Sequence, residues 1–390
     1  MKTANLDSAL EKLAAWAAGG MMLIAVTAGG APAAYPAANR LHVLLVSEPH
    51  DLAGGPAVEQ SYLESLGNFR FTYAPVPHAG GDHALDVDGL MGSDPRYIPL
   101  RKAALLEYLR KDWDAIFFRP GGSVGQVDGD IQKAMAEAVK RGQRLFWFAG
   151  RVEAPRPYPA VDPSLEAMLP FQGGMPAVAF DGADPLAGLG LDEAGISPGR
   201  QRFAVTNGFA VVHWAAQGKT PVAVVAYRRF EKGAVVGIRA DGLIPSFSDS
   251  SIDGERLWAE GLERLVRWAR DGRLPPVLDI QVAAAPPNAD GSATARLLIA
   301  GPAGMAVRVE QDDQRGTVRT LIPSLLIPAG TTQVDVVLAP SPYSRQALRA
   351  VPLAPGSALS AIAFVSLPQA VDVAIETTDQ GFPPDFSTRT

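Results

Sequence analysis

The hydrophobic pattern divides the chain into two parts with different periods. From Leu41 to Arg270, short unbroken apolar runs alternate with stretches in which apolar residues recur every three or four positions. From Val277 onward, short β-type runs follow one another, parted by turn residues. The first pattern predicts strands buried on both faces under amphipathic helices, and the second predicts antiparallel strands with one buried face.

The first pattern is clearest from Asp114 to Gly150. Ala115 to Phe118 is a wholly apolar run, stopped by Pro120-Gly121-Gly122. A glycine pair after a strand lets the backbone turn sharply and come close to whatever sits above the sheet. Asp128 is placed to cap the next helix, and Asp130 adds negative charge to its first turn. Ile131, Ala134, Met135, Ala138 and Val139 form one apolar face. Lys140 and Arg141 fill the last turn, and Gly142 stands just past the helix end. Leu145 to Ala149 is the next buried strand. Strand, crossover helix and strand within about 35 residues make a right-handed βαβ unit.

The same reading places strands at Leu41 to Val46 and Phe69 to Pro75, with helices at Val58 to Leu66 and Leu100 to Leu109. Beyond Gly150 it places a short helix at Asp162 to Leu169 and strands at Phe209 to Trp214 and Pro221 to Tyr227. A hairpin turn follows in Phe230 to Ile238, then a long amphipathic helix from Ile252 to Arg270. Leu274-Pro275-Pro276 reads as a linker. Eight β-type runs follow, the first Val277 to Ala283 and the last Val371 to Glu376. The expected fold is a flavodoxin-like parallel α/β sheet with flanking helices over residues 40–272. An antiparallel β-sandwich over 277–376 and a polar tail over 377–390 complete it.

Leu13 to Ala34 carries no charge, Lys2 and Lys12 precede it, and Ala31-Pro32-Ala33 offers a small-x-small cleavage pattern. Three readings are open: a secretory signal peptide over 1–34, an uncleaved membrane anchor, or a packed helix of a cytoplasmic protein. The first two put the rest of the chain in the periplasm or outside the cell. A membrane contact is expected only if this segment stays attached.

Composition narrows the function classes. The chain has 390 residues and a net charge of −6, with no run of Lys and Arg that would form a nucleic-acid face. It has no Cys, so disulfides, thiolate metal sites and thiol nucleophiles are all excluded.

The strand, the Pro-Gly-Gly turn, the helix with its Arg141-Gly142 end, and the strand closing on Ala149-Gly150 resemble the class I glutamine amidotransferase-like superfamily. Members include the trehalose-utilisation-like proteins and the intracellular protease/deglycase family. Ala183 to Leu189, the Phe230 to Ile238 element and the helix bearing Trp258 and Trp268 resemble the trehalose-utilisation-like branch, in the same order along the chain. The resemblance implies a nucleophilic Cys on the turn Phe148-Ala149-Gly150-Arg151. No Cys stands there, nor a Ser, and no His follows at a matching place. On that alignment, acyl transfer by a Cys nucleophile is excluded.

Candidate chemistry gathers on two sets of loops. In an open α/β sheet, ligands sit at the carboxyl ends of the strands. That edge is expected to carry Glu48, His50 and Glu153 as acid–base candidates. Asp51, Arg119, Gly121, Gly122, Ser123, Arg151 and Asp241 are the ligand-binding candidates there. The alternative is ordinary polar loop residues around a degenerate pocket. Arg119, directly before Pro-Gly-Gly, suits a carboxylate or phosphate, or a local ion pair with Glu48 or Glu153. The loop with His78, Asp82, His83, Asp86 and Asp88 is the densest set of metal-type ligands. It lacks EF-hand spacing, and a solvated loop held by Asp turns accounts for it equally well. His42 and His213 lie in apolar strand runs and read as structural. No cofactor is expected.

Two function classes stand at this point. One is an exported non-catalytic binding or scaffolding protein, with a small polar ligand or glycan, or a protein partner held through the β-sandwich. The other is a carbohydrate-processing or carbohydrate-binding enzyme using carboxylate and His chemistry. A cytoplasmic regulatory pseudo-amidotransferase is a third reading.

Overall fold

A computed structural model describes residues 40–47, 55–66, 69–76, 98–119, 127–148, 161–171, 178–197, 205–217, 220–240, 242–272, 276, 278–284, 286, 288, 290–313, 317–341, 345–354 and 358–367. Its first domain is built on strands β1 (Leu41–Ser47), β2 (Phe69–Pro75), β3 (Ala115–Arg119), β4 (Arg144–Phe148), β5 (Val178–Ala179), β6 (Ala210–Gln217), β7 (Thr220–Phe230) and β8 (Gly233–Ile238). They form one eight-stranded sheet in the order β2-β1-β3-β4-β8-β7-β6-β5. The half from β2 to β8 is parallel, and β7 runs antiparallel to both β8 and β6.

The sheet is thus mixed where the sequence pattern suggests a parallel one. The reason is the connections. Only Glu231 and Lys232 join β7 to β8, and a two-residue link can only make a hairpin, because a parallel return needs a long crossover.

The helices are α1 (Gly55–Ser65), α2 (Ile98–Tyr108), α3 (Gly129–Arg141), α4 (Pro163–Glu166), α5 (Leu191–Ala194) and α6 (Gly254–Asp271). In α3 the expected caps are present: the Asp128 side chain accepts the Asp130 N–H, and Gly142 ends the helix. The helix expected over Asp162 to Leu169 is a single turn, α4. Pro170 disfavours helical backbone in the residue before it, so the turn stops early.

Alternation along the central strands creates two apolar cores, one on each face of the sheet. Val43, Leu45, Phe117, Phe146 and Phe148 point to the face covered by α1 and α6. Leu44, Val46, Phe118, Leu145 and Trp147 point to the face covered by α2, α3 and α4. Phe117 stands 5.2 Å, centroid to centroid, from both Phe146 and Phe148. A strand apolar at every position is what this burial on both faces demands.

The second domain has strands β9 (Asp279–Ala284), β10 (Ala293–Ala300), β11 (Met305–Asp312), β12 (Val318–Ile327), β13 (Thr331–Leu338), β14 (Arg345–Pro352) and β15 (Ala361–Ser366). They form two antiparallel sheets, β13-β10-β9 and β12-β11-β14-β15. Residues from both sheets share one apolar core, among them Leu297, Val309, Leu338, Leu348 and Val365. The run expected over Val371 to Glu376 lies outside the described residues, as do residues 1–39. Among the described residues, no helix is long and apolar enough to cross a membrane.

Helix α6 joins the domains. One side of it packs under the large sheet through Trp258, Leu262 and Leu265. Its other side meets β11, β14 and the residues before β15 through charge. Glu260 accepts from Arg349 at 2.6 Å and from the Ser360 hydroxyl at 2.6 Å, and it pairs with Arg264 at 3.1 Å. Arg264 also donates to the Ser360 carbonyl at 2.7 Å. Arg256 pairs with the fully buried Asp312 at 2.8 Å. Arg345 donates to Asp249 at 2.8 Å, in the loop that leads into α6. Gly190 completes the contact: its φ is +70°, and a Cβ there would collide with the Phe364 ring of β15.

Burial tends to raise the Glu260 pKa, but Arg349, Arg264 and the Ser360 hydroxyl outweigh it and hold the carboxyl at about 2, against an ordinary 4.5. The folded value is depressed. The contribution to stability is therefore complete above about pH 4.5 and is lost as pH falls toward 2. Glu260→Gln should cost on the order of 3 kcal/mol at pH 7 in urea unfolding. The wild-type and variant curves should draw together as the pH is lowered through this window.

Candidate functional site at the carboxyl edge of the sheet

Because β1, β3, β4 and β8 are parallel, their carboxyl ends open on the same edge. Ser47 ends β1 and is level with Arg119, which ends β3. Phe148 ends β4 and is level with Ile238 of β8, which Arg239 follows.

Ser47 is fully buried. By alternation from Leu45 and Phe117, the Ser47 and Arg119 side chains leave the sheet on the α1 and α6 side. Arg239 leaves on the other side. Its guanidinium lies 5.0 Å from the centre of the Phe171 ring, and only 6% of the residue is exposed. Burial lowers its pKa from the ordinary arginine value. Two cationic side chains thus flank this edge, one on each face.

The edge loop after β8 is held by a residue that the sequence reading did not single out. Glu59 of α1 accepts the Leu243 N–H at 2.8 Å across 184 positions of sequence. A Cβ on Gly242 would strike the same carboxylate. From the other side, Trp258 of α6 donates its indole N–H to the Leu243 carbonyl at 2.8 Å. Both polar groups of the Leu243 backbone are therefore satisfied by side chains from the two helices on this face. Nothing local in the sequence marks Glu59 for this role, since its partner is set by the return of β8 beside β4.

Of the sequence candidates at this edge, Arg119 is among the described residues, at the end of β3 as expected. Glu48, His50, Asp51, Gly121, Gly122, Ser123, Arg151, Glu153 and Asp241 lie outside them. So do His78, Asp82, His83, Asp86 and Asp88 of the second loop. Among the described residues, no group of three or more His, Asp and Glu side chains is arranged to hold a metal ion.

His213 is buried on β6, at an irregularity of its pairing with β7. Its Nδ1 lies 2.8 Å from Asp184 Oδ2, and Asp184 Oδ1 accepts the Leu186 N–H at 2.8 Å. The imidazole ties the Asp184 turn to the sheet, away from the carboxyl edge. His42 has its backbone N–H bonded to Asp114 at 2.8 Å, and Arg270 of α6 pairs with the same Asp at 2.9 Å. Both histidines are tied to structural carboxylates, directly or through the backbone.

The chemistry this edge offers is that of its guanidinium groups, Arg119 and Arg239. Guanidinium groups that are partly or wholly desolvated make stronger, shorter hydrogen bonds to carboxylate or phosphate than exposed ones do. The described part of the edge holds no activated nucleophile.

Glu59→Ala should free the Leu243 amide, raise its hydrogen-exchange rate and cost about 1–3 kcal/mol of stability. Glu59→Gln keeps an accepting oxygen and should lose much less. Amide exchange at Leu243, followed by mass spectrometry or NMR, separates the two outcomes.

No family model and no curated protein matches the chain. Among solved structures, a β-glucosidase from Erythrobacter marinus aligns with 86% of this chain and 48% of its own, at 12% identity and a TM-score of 0.22. The chain spans about half of that protein, and a likeness at this level carries no argument about fold or function.

Proposed function

We propose that the chain is an exported, non-catalytic binding protein. Its flavodoxin-like, amidotransferase-like α/β domain holds a small polar anion at the carboxyl edge, and its β-sandwich is a fused scaffold. The observation that carries this reading is the make-up of that edge. Its described residues supply two guanidinium groups and a buried seryl group beside a loop clamped by Glu59 and Trp258, a set that suits holding an anion on a fixed support. A thiol nucleophile is ruled out, because the chain contains no Cys.

Three further features support it. The order β2-β1-β3-β4-β8 follows the 2-1-3-4-5 pattern of flavodoxin-like sheets, whose ligands sit at the corresponding edge. The charged contacts along α6 lock the second domain to the first, as a scaffold requires. The uncharged Leu13 to Ala34 stretch, behind two lysines, suits export to the periplasm or beyond.

The experiment is a thermal-shift panel of carboxylates, inorganic phosphate, amino acids, and mono- and disaccharides, run beside product analysis on the same mixtures. A ligand at about 100 times its Kd should stabilise the fold by roughly 2.7 kcal/mol and be recovered unchanged. Arg119→Ala should remove that shift. Turnover of any panel member would sink the non-catalytic reading in favour of a carbohydrate-processing or related enzyme. A shift confined to uncharged sugars and indifferent to Arg119 would sink the anion site.

A further inference from the structure

His213 stands on β6, the strand next to the last in the large sheet and two places beyond β8, so it lies outside the proposed anion site. Only 5% of the residue is exposed. Asp184 Oδ2 is 2.8 Å from its Nδ1. A carboxylate can only accept, so Nδ1 carries the hydrogen, and in the neutral ring Nε2 carries a lone pair. That nitrogen is buried and has no hydrogen-bond partner among the described residues. It faces Asp192 of α5, whose Oδ1 is 3.9 Å away. A lone pair thus meets a second acceptor across a short gap, an arrangement that calls for a positive charge between them.

The two carboxylates differ in a way that suits metal ligation. Asp184 is fixed. Its Oδ1 accepts the Leu186 N–H at 2.8 Å, and Arg264 of α6 ties down the same turn by donating to the Ala187 carbonyl at 3.2 Å. Metal-binding histidines commonly give their other ring N–H to such a carboxylate, which sets the tautomer and the ring orientation. Asp192 is on the outside, with its side chain 77% exposed. It is presented by the single turn of α5, which is seated by the buried Leu191 and Ala194.

We propose that His213 Nε2 and Asp192 bind a divalent transition metal ion of the zinc type, with Asp184 orienting the imidazole and water filling the remaining positions. Imidazole with carboxylate suits such ions, whereas magnesium and calcium prefer ligand sets made of oxygen alone. The separation decides between a metal ion and a proton as the bridging charge. Two ligands of one tetrahedral zinc lie about 3.3 Å apart. An N–H···O hydrogen bond needs about 2.9 Å. From 3.9 Å, the exposed Asp192 side chain reaches the first spacing by the smaller movement, and its open side admits an ion that keeps water. Two protein ligands make a reversible site, not one that the fold depends on.

The test is calorimetric titration of the full chain with zinc chloride, beside NMR of the ring nitrogens of its five histidines. Zinc should bind saturably and move the His213 Nε2 resonance. Asp192→Ala alters an exposed side chain, so it should leave the fold intact while weakening this binding tenfold or more. Asp184→Asn should weaken it by about 10- to 100-fold through the orientation of the ring. Magnesium and calcium should not compete. The proposal is overturned if the His213 resonance is indifferent to zinc, if Asp192→Ala binds zinc at this ring as the wild type does, or if calcium displaces zinc. It is overturned too if the Nε2 resonance moves on acidification alone, since the bridging charge is then a proton.

Discussion

The partly buried carboxylate of Glu260 is the constraint on which the two-domain arrangement depends. A charged group taken out of water is costly unless its lone pairs and its charge are answered. Here the partners come from both sides: Arg264 from the same helix, and Arg349 and Ser360 from the second domain. Neither domain alone supplies all of these partners, so separating them costs the carboxylate its bonds to Arg349 and Ser360. Asp312 and Arg256 repeat the logic with the roles reversed, the carboxylate on the β-domain and the guanidinium on α6.

This junction shapes the candidate site as well. Trp258, five residues after Asp253 has capped α6 and two before Glu260, fixes the Leu243 carbonyl at the carboxyl edge. The loop from Arg239 to Asp253 therefore runs from the strand end to the domain junction and is anchored at both. A site at this edge is built on rigid supports, which suits the orientation of a ligand.

Much of the fold was legible because its causes are local. Ala115 to Phe118 and Leu145 to Phe148 read as buried strands because every side chain is apolar, and they are the neighbouring interior strands β3 and β4. Asp128 and Gly142 bound α3 as their capping chemistry requires. The misses had non-local causes. The single turn α4 is the exception, ended ahead of Pro170 by a local cause, whereas the α5 segment lies against His213 and Phe364, which are remote in sequence. Of the site, the strand-end position of Arg119 and the approach of the segment that begins at Arg239 could be read in advance. Glu59 and Phe171 became parts of the same edge only when β8 was laid beside β4.

The sequence by itself determined the two hydrophobic periods, and with them an α/β half followed by a β half. It also ruled out thiol chemistry, because that depends on composition alone. Only the tertiary structure decided the place of β8 beside β4, the pairing of Glu59 with the Leu243 amide, and the charge exchange between α6 and the second domain. Each of these joins groups far apart along the chain whose pairing is set by burial. An acidic or basic residue in a sequence looks the same whether it faces water or a buried partner, and only the packing of the surrounding strands and helices tells the two apart.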